Sequence, residues 1–243
     1  MPLVQTDPVF IFLHGGVQGS WVWAPTLEAL KLQAPDSRWL LLDVPGCGTK
    51  RGRDTDRITF DAIVEELIGD VEAAGVSGAI LVGHSQAGSV LPRMAELAPE
   101  RFRKLVCLSC IAPEAGQTVL VGSAGQEMAD LPEEQRALPV ERLRAIFCND
   151  MSEERADSFM ASLGQDGWPR SAYGETEWRY DHLAGIPSTY ILCLRDATLR
   201  PEQQREFAQR LHVDRLSYID SGHQAMITRP HTLAEMLLLE SAE

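Results

Sequence analysis

Ala79-Ile80-Leu81-Val82-Gly83-His84-Ser85-Gln86-Ala87-Gly88-Ser89 is the stretch that decides the fold of this chain. An apolar run of strand character reaches a small residue, then a serine two positions on, then small residues again before a helical pattern. A serine on a sharp strand-to-helix turn has its hydroxyl presented above the sheet edge, the layout of a nucleophile elbow. Strand and helix backbones pass close there, so the residues two before and two after the serine must be small. Gly83 and Ala87 meet that need, and Gly88 follows at once. Ser85 is therefore read as a catalytic nucleophile.

Outward from the elbow, short apolar runs alternate with helical patterns. Val9 to Leu13 is a strand ending at His14-Gly15-Gly16. Ser20 to Leu32 has helical spacing, with Trp23, Leu27 and Leu30 on one face. Arg38 to Asp43 is a second strand, stopped by Val44-Pro45-Gly46-Cys47-Gly48. Thr59 to Ala74 places Ile63, Leu67, Ile68 and Val71 at helical intervals, and Gly75 ends it. Gly78 to Val82 is the third strand, followed by the elbow and a helix through Leu97, and Lys104 to Cys110 is the fourth. Near-continuous apolar strands alternating with helices predict an α/β fold. Its mostly parallel central sheet would have about six strands, with helices on both faces. Ligands of such sheets bind at the carboxyl ends of the strands.

The alternation breaks from Ala112 to Gly185, where Pro113, Gly116, Pro132, Pro139, Gly164, Gly167 and Pro169 punctuate scattered helical patterns. Two of these run from Glu133 to Phe147 and from Ser152 to Leu163. Residues 112–185 are read as a helical cap inserted over the catalytic edge, and residues 1–111 with 186–243 as the core; a peripheral excursion is the alternative. Strand character returns over Pro187 to Leu194 and Leu216 to Ile219, with helices over Pro201 to Leu211 and Pro230 to Leu239.

A serine hydroxyl needs a base within hydrogen-bond reach, and the base needs a carboxylate to fix its tautomer. With an elbow of this kind the chain order is serine, acid, histidine. Of six histidines, His84 adjoins the serine and should point elsewhere. His14 belongs to a turn, and His182, His212 and His231 lie in or beside helical patterns. His223 follows the last strand and the turn Asp220-Ser221-Gly222, at a carboxyl strand end, and is the expected base. Asp196, at the end of the strand before it, is the expected acid. Glu114 is the runner-up, and Asp220 lies too near His223 along the turn. The oxyanion hole is expected from the N–H groups of Gln86, at a helix start, and Gly16, in the glycine turn after the first strand.

Composition limits the partners. The 243 residues carry a net charge of −13, with 44% hydrophobic and 23% charged residues. That acidity argues against nucleic acid or an anionic membrane as partner. No run approaches the roughly 20 apolar residues of a membrane span, and Met1 to Asp7 lacks the pattern of a secretory signal. Five cysteines without framework or zinc spacing predict a reduced, cytoplasmic protein. Cys107 and Cys110 form C-x-x-C, but inside the apolar run Leu105 to Ile111, so core cysteines are expected rather than a redox pair. Metal clusters, phosphate loops and dinucleotide fingerprints are lacking, so no cofactor and no metal are expected.

Taken together, these residues resemble the α/β-hydrolase fold superfamily, in the compact branch of plant methyl esterases, hydroxynitrile lyases and bacterial esterases. The resemblance runs through Leu13-His14-Gly15-Gly16 with Trp21 and Trp23, Leu42-Asp43-Val44-Pro45-Gly46, the elbow, Ala112-Pro113-Glu114-Ala115-Gly116, Asp196, and Gly222-His223-Gln224-Ala225-Met226. It implies a loop into the cap at 112–116, which demotes Glu114 as the acid. Lyases of this branch carry lysine at the position of Gln224 and threonine at that of Gly16, so cyanohydrin cleavage is not expected. Ser85 in place of aspartate argues against dehalogenation. Gln86 replaces a small or apolar residue; its amide either reaches the pocket and favours an oxygen-bearing substrate, or faces the helix.

The expectation is a serine hydrolase acting on a small-molecule carboxylic ester, thioester or lactone through Ser85, His223 and Asp196. The alternative is a non-hydrolytic use of the scaffold, as oxygenase, lyase or receptor. Phe147, Phe159, Met160, Trp168, Tyr173 and Trp178 offer apolar surface in the cap, as core or as pocket wall. Lys50, Arg51 and Arg53 read as a solvated loop, with attraction of an anionic substrate as the alternative. The sequence does not fix substrate-binding residues or oligomeric state.

Overall fold

The computed structural model describes residues 9–125, 130 and 138–242. Six strands form one sheet: β1 (Val9–Leu13), β2 (Arg38–Leu42), β3 (Ala79–His84), β4 (Phe102–Leu108), β5 (Ser188–Cys193) and β6 (Arg215–Ile219). Their order is β2-β1-β3-β4-β5-β6, and every pairing is parallel. The chain leaves β1 to one side for β2 and returns on the other side for β3. The switch point of the sheet thus lies between the carboxyl ends of β1 and β3, where such sheets open a crevice.

Successive strand residues point to opposite faces, and here both sets are apolar. Ile11, Leu13, Leu81, Leu105, Tyr190 and Leu192 join one core, covered by the helices Phe60–Ala73, Leu91–Leu97 and Pro201–Arg210. Phe10, Phe12, Ile80, Val82, Val106 and Ile191 join the other, under Ala24–Gln33 and Pro230–Ser241. Burial of both faces explains why the strands read as continuous apolar runs.

Two expected helices begin later than their spacing suggested. Ser20–Trp23 and Ser85–Ser89 are 3-10 turns, and the α-helices start at Ala24 and Leu91. Pro25 and Pro92 lie in the first turn of each, the place where a missing N–H costs nothing. Thr59 caps the helix Phe60–Ala73 by accepting the Ala62 N–H.

Between β4 and β5 the described residues form the helices Val119–Ala124, Val140–Phe147, Glu153–Ser162 and Arg170–Gly174, with a 3-10 turn at Asp181–Gly185. The expected helix from Glu133 is described from Val140, and 133–137 lie outside the described residues. Asp166 ties this insertion to the core: its buried carboxylate accepts from Trp21 Nε1, the Gly48 N–H and both Arg51 nitrogens Nε and Nη2. Among the described residues, no helix is long and apolar enough to cross a membrane.

Candidate active site

The turn after β3 holds Ser85 at φ +54, a left-handed backbone that non-glycine residues rarely adopt. Packing compels the tightness of the turn. A Cβ on Gly83 would press on the Leu91 side chain at 2.7 Å and on Ala87 Cβ at 3.1 Å. The Ser85 carbonyl is fixed from behind by the Ile111 N–H at 3.0 Å.

Three strand ends converge there. His223, fully buried on the loop after β6, has its Nε2 3.0 Å from Ser85 Oγ. Its Nδ1 donates to Asp196 Oδ2 at 2.7 Å. Asp196, 4% exposed on the loop after β5, is itself held from all sides. Oδ1 accepts the N–H groups of Thr198 and Leu199 at 2.7 and 2.8 Å, and Oδ2 also accepts the Ser109 hydroxyl at 2.6 Å. A carboxylate with four donors is fixed in orientation, and one of those donors fixes the imidazole so that Nε2 faces the serine.

The other candidate acids lie elsewhere. Glu114 is exposed and pairs with Arg210, and Asp220 is exposed and pairs with Arg195. His84 points away from the serine hydroxyl, its Nε2 donating to the His223 carbonyl at 2.9 Å. Burial holds its pKa well below the ordinary histidine value. His14 donates from Nδ1 to the Gly15 carbonyl and accepts the Val44 N–H at Nε2; burial lowers its pKa as well. Both rings are neutral packing elements of the turn region.

Gly16, Gln86 and Ser85 share one cavity of about 210 Å³, smaller than the roughly 300–1,000 Å³ of sites for drug-sized ligands. Val17, Ile111, Val119, Leu120, Phe147 and Leu199 give it an apolar wall, and Tyr173, Ser123 and Thr198 add hydroxyls. The cap aromatics divide between wall and core. Phe147 and Tyr173 line the cavity. Phe159 packs on Trp21 and Phe147; Trp178 stands edge-on to Phe60; Trp168 donates to the Gly15 carbonyl at 3.0 Å.

Lys50, Arg51 and Arg53 are committed to carboxylates. Lys50 meets Glu66 and Asp70, Arg51 meets Asp166, and Arg53 meets Glu66. Cys107 and Cys110 are buried free thiols, and Cys110 Sγ donates to the Gly83 carbonyl.

Sequence reasoning missed Ser109, Asn149 and Asp150. Ser109 left a trace as the polar interruption of the run Leu105 to Ile111. Asn149 and Asp150 left none. Asn149 Nδ2 donates to the Arg195 carbonyl at 2.7 Å, and Asp150 Oδ2 accepts the Gly222 N–H at 2.8 Å. One turn of the insertion thereby touches both the loop of Asp196 and the loop of His223.

The comparisons with known proteins agree on the scaffold. A model of the alpha/beta hydrolase family matches residues 10–236. The chain is 23% identical over 251 residues to Methylesterase 10 of Arabidopsis thaliana, covering 94% of this chain and 90% of that protein. It is 30% identical over 111 residues to a carbendazim hydrolyzing esterase of Nocardioides sp. (strain SG-4G), a match spanning 46% of this chain and 45% of that relative. Among solved structures, an extracellular alpha/beta-hydrolase from a Paenibacillus species matches with TM-score 0.82 at 20% identity, covering 96% of this chain and 98% of that one.

Proposed function

The chain belongs to the alpha/beta hydrolase family, and on that premise we propose that it is a serine hydrolase of carboxylic esters. The observation that carries this reading is the continuous contact from Asp196 Oδ2 through His223 to Ser85 Oγ, at 2.7 and 3.0 Å. Relatives named as esterases and methylesterases support the same substrate class.

In the proposed mechanism His223 Nε2 takes the Ser85 proton as Oγ attacks the ester carbonyl. Asp196 holds the ring and stabilises the cation that forms. The backbone N–H groups of Gly16 and Gln86 stabilise the oxyanion, a type of contact worth about 3–4 kcal/mol per donor. His223 then delivers the proton to the departing alcohol. Water, deprotonated by the same nitrogen, releases the acid from the acyl-enzyme. Residues 112–185 act as the cap of this site, a role supported by Val119, Leu120, Phe147 and Tyr173 in the cavity wall. Its ligand is a small-molecule ester, and the cytoplasmic assignment rests on five unpaired, buried cysteines.

The test is covalent. A fluorophosphonate should label intact protein at Ser85, and p-nitrophenyl acetate should be cleaved. Both signals should vanish in Ser85→Ala with an unchanged thermal melt. An unlabelled, inactive wild type would leave the non-hydrolytic alternative in its place.

A further inference from the structure

The proposed mechanism uses the backbone of Gln86 and leaves its side chain unexplained. That side chain is buried, 6% exposed, in the wall of the cavity that holds Ser85. Among the described residues its Nε2 has no hydrogen-bond partner within 3.5 Å. Native proteins rarely leave a buried amide donor unpaired without a use for it. Its Oε1 lies against the β1 turn, in the space where a Cβ on Gly16 would stand.

The other polar groups of the cavity are differently placed. The Ser123 hydroxyl donates to the Val119 carbonyl at 2.9 Å, and the Thr198 hydroxyl donates to the Ile146 carbonyl at 3.2 Å. The Tyr173 phenol lies beside the Gln86 amide, which favours the phenolate without reaching a hydrogen bond of normal geometry. Tyr173 is 36% exposed as a residue, yet burial pushes its phenol pKa up to about 12. It stays a protonated donor at neutral pH. The rest of the wall is apolar.

We propose that the Gln86 amide, with the Tyr173 hydroxyl beside it, recognises a hydrogen-bond acceptor oxygen on the ester that fills this cavity. The preferred substrates are then compact, largely apolar esters that carry an ether, keto or hydroxyl oxygen besides the ester group. This inference rests on the esterase reading above. A site built around a buried donor discriminates strongly against an analogue that lacks the acceptor, because the donor is left unpaired in the complex. A purely apolar pocket of the same size would not discriminate in that direction.

The experiment compares ester pairs in which one methylene is replaced by an ether oxygen. On the acyl side these are p-nitrophenyl butyrate against methoxyacetate, and pentanoate against 3-methoxypropanoate. On the alcohol side the pair is butyl acetate against 2-methoxyethyl acetate. The readout is the ether-to-methylene ratio of kcat/KM in wild type divided by that in Gln86→Met, which cancels intrinsic reactivity. At least one pair should show the ratio falling about tenfold in Gln86→Met. Tyr173→Phe, at a partly exposed position, should lower the same ratio by about threefold. Equal ratios in wild type and both variants for every pair would overturn the inference. The same esters titrated onto Ser85→Ala, with and without Gln86→Met, give the preference as a Kd ratio without catalysis. A wild type that neither labels nor cleaves ester would sink the esterase reading, while the Kd ratio would still decide the recognition.

Discussion

Ser109 Oγ donates to Asp196 Oδ2 across 2.6 Å, and that is the same oxygen which accepts from His223 Nδ1 at 2.7 Å. The serine is fully buried just past β4, so the central strand of the site reaches the acid directly. With Oδ1 held by Thr198 and Leu199, loss of the serine hydroxyl frees the oxygen that aims the imidazole. On the proposed mechanism Ser109→Ala should lower kcat by about three- to tenfold, in line with a net contribution of about 1 kcal/mol for a buried hydrogen bond. KM should stay within about twofold, because a positioning residue acts on the transition state more than on substrate binding. Steady-state kinetics of a short p-nitrophenyl ester decide it, and an unchanged kcat would count against the role.

Asp150 gives a second positioning test, from the insertion. Its carboxylate is 2% exposed and lies 3.8 and 3.9 Å from Arg195 and Arg229. It accepts the Gly222 N–H, one residue before His223. Asp150→Ala leaves that N–H without its partner and takes a buried carboxylate from between Arg195, which keeps Asp220, and Arg229. We expect a loss of about 1–3 kcal/mol in stability together with a drop in kcat. Gly222→Ala separates the two effects: its Cβ would overlap the side-chain oxygens of Asn149 and Asp150, so those side chains or the histidine loop must give way with every charge retained. A tenfold or greater loss of kcat with labelling still detectable at Ser85 is the expected pattern. Wild-type kcat in both variants would show that the turn does not hold the site.

How far the sequence could be read follows from what each signal depends on. The parallel sheet was legible because its inner strands are buried on both faces, which writes β1, β3, β4 and β5 largely as apolar runs. Ser85, His223 and Asp196 were singled out because strand ends and chain order are local and ordinal properties. The structure brings these three together with Gly16 and Gln86 lining the same cavity. The boundaries of the helices after β1 and β3 were misplaced because a 3-10 turn and an α-turn share apolar spacing; the prolines at 25 and 92 were the available correction. Asn149 and Asp150 were illegible. Their partners Arg195 and Gly222 are 46 and 72 residues away, and nothing in a hydrophobic pattern records a long-range polar contact. Gln86 was visible as an oddity, but only the structure turns its side chain towards the cavity rather than the helix.

The basic loop after β2 carries a prediction opposite to substrate attraction. Arg51 meets both Asp166 oxygens, at 2.5 and 2.6 Å, and the Asp166 side chain is fully buried. This contact and those from Trp21 and Gly48 hold the Asp166 carboxyl below its ordinary value against the cost of burial. Arg51→Ala should therefore destabilise the fold by about 1–2 kcal/mol, the lower end for a broken ion pair because Arg51 itself is partly exposed. The kcat/KM for an anionic ester should keep its wild-type dependence on salt. Melting temperatures and a salt series check both halves; a selective loss of rate on anionic esters would restore the attraction hypothesis.

The two neutral histidines of the turn region set the pH dependence of stability just below neutrality. His14 and His84 are fully buried, and desolvation lowers both pKa values from the unfolded value of 6.5. Above pH 6.5 both states leave these rings neutral, so they add no slope. Below it the unfolded chain binds protons that the folded chain refuses, so stability falls as pH falls, by up to about 1.4 kcal/mol per pH unit for each ring. The depressed carboxyls Glu66, Glu96 and Asp166 act in a separate window. Their stabilisation is present above the unfolded carboxylate values and is lost only as pH drops through and below about 4.5. Urea midpoints at pH 7.5, 6.5 and 5.5 isolate the histidine effect. The midpoint should hold from 7.5 to about 7 and then decline, and His84→Gln should reduce the decline by removing one of the two rings. Equal unfolding free energies at pH 7.5 and 5.5 would mean that these rings take up protons inside the fold, and that the polar floor beneath Ser85 is wetter than its burial indicates.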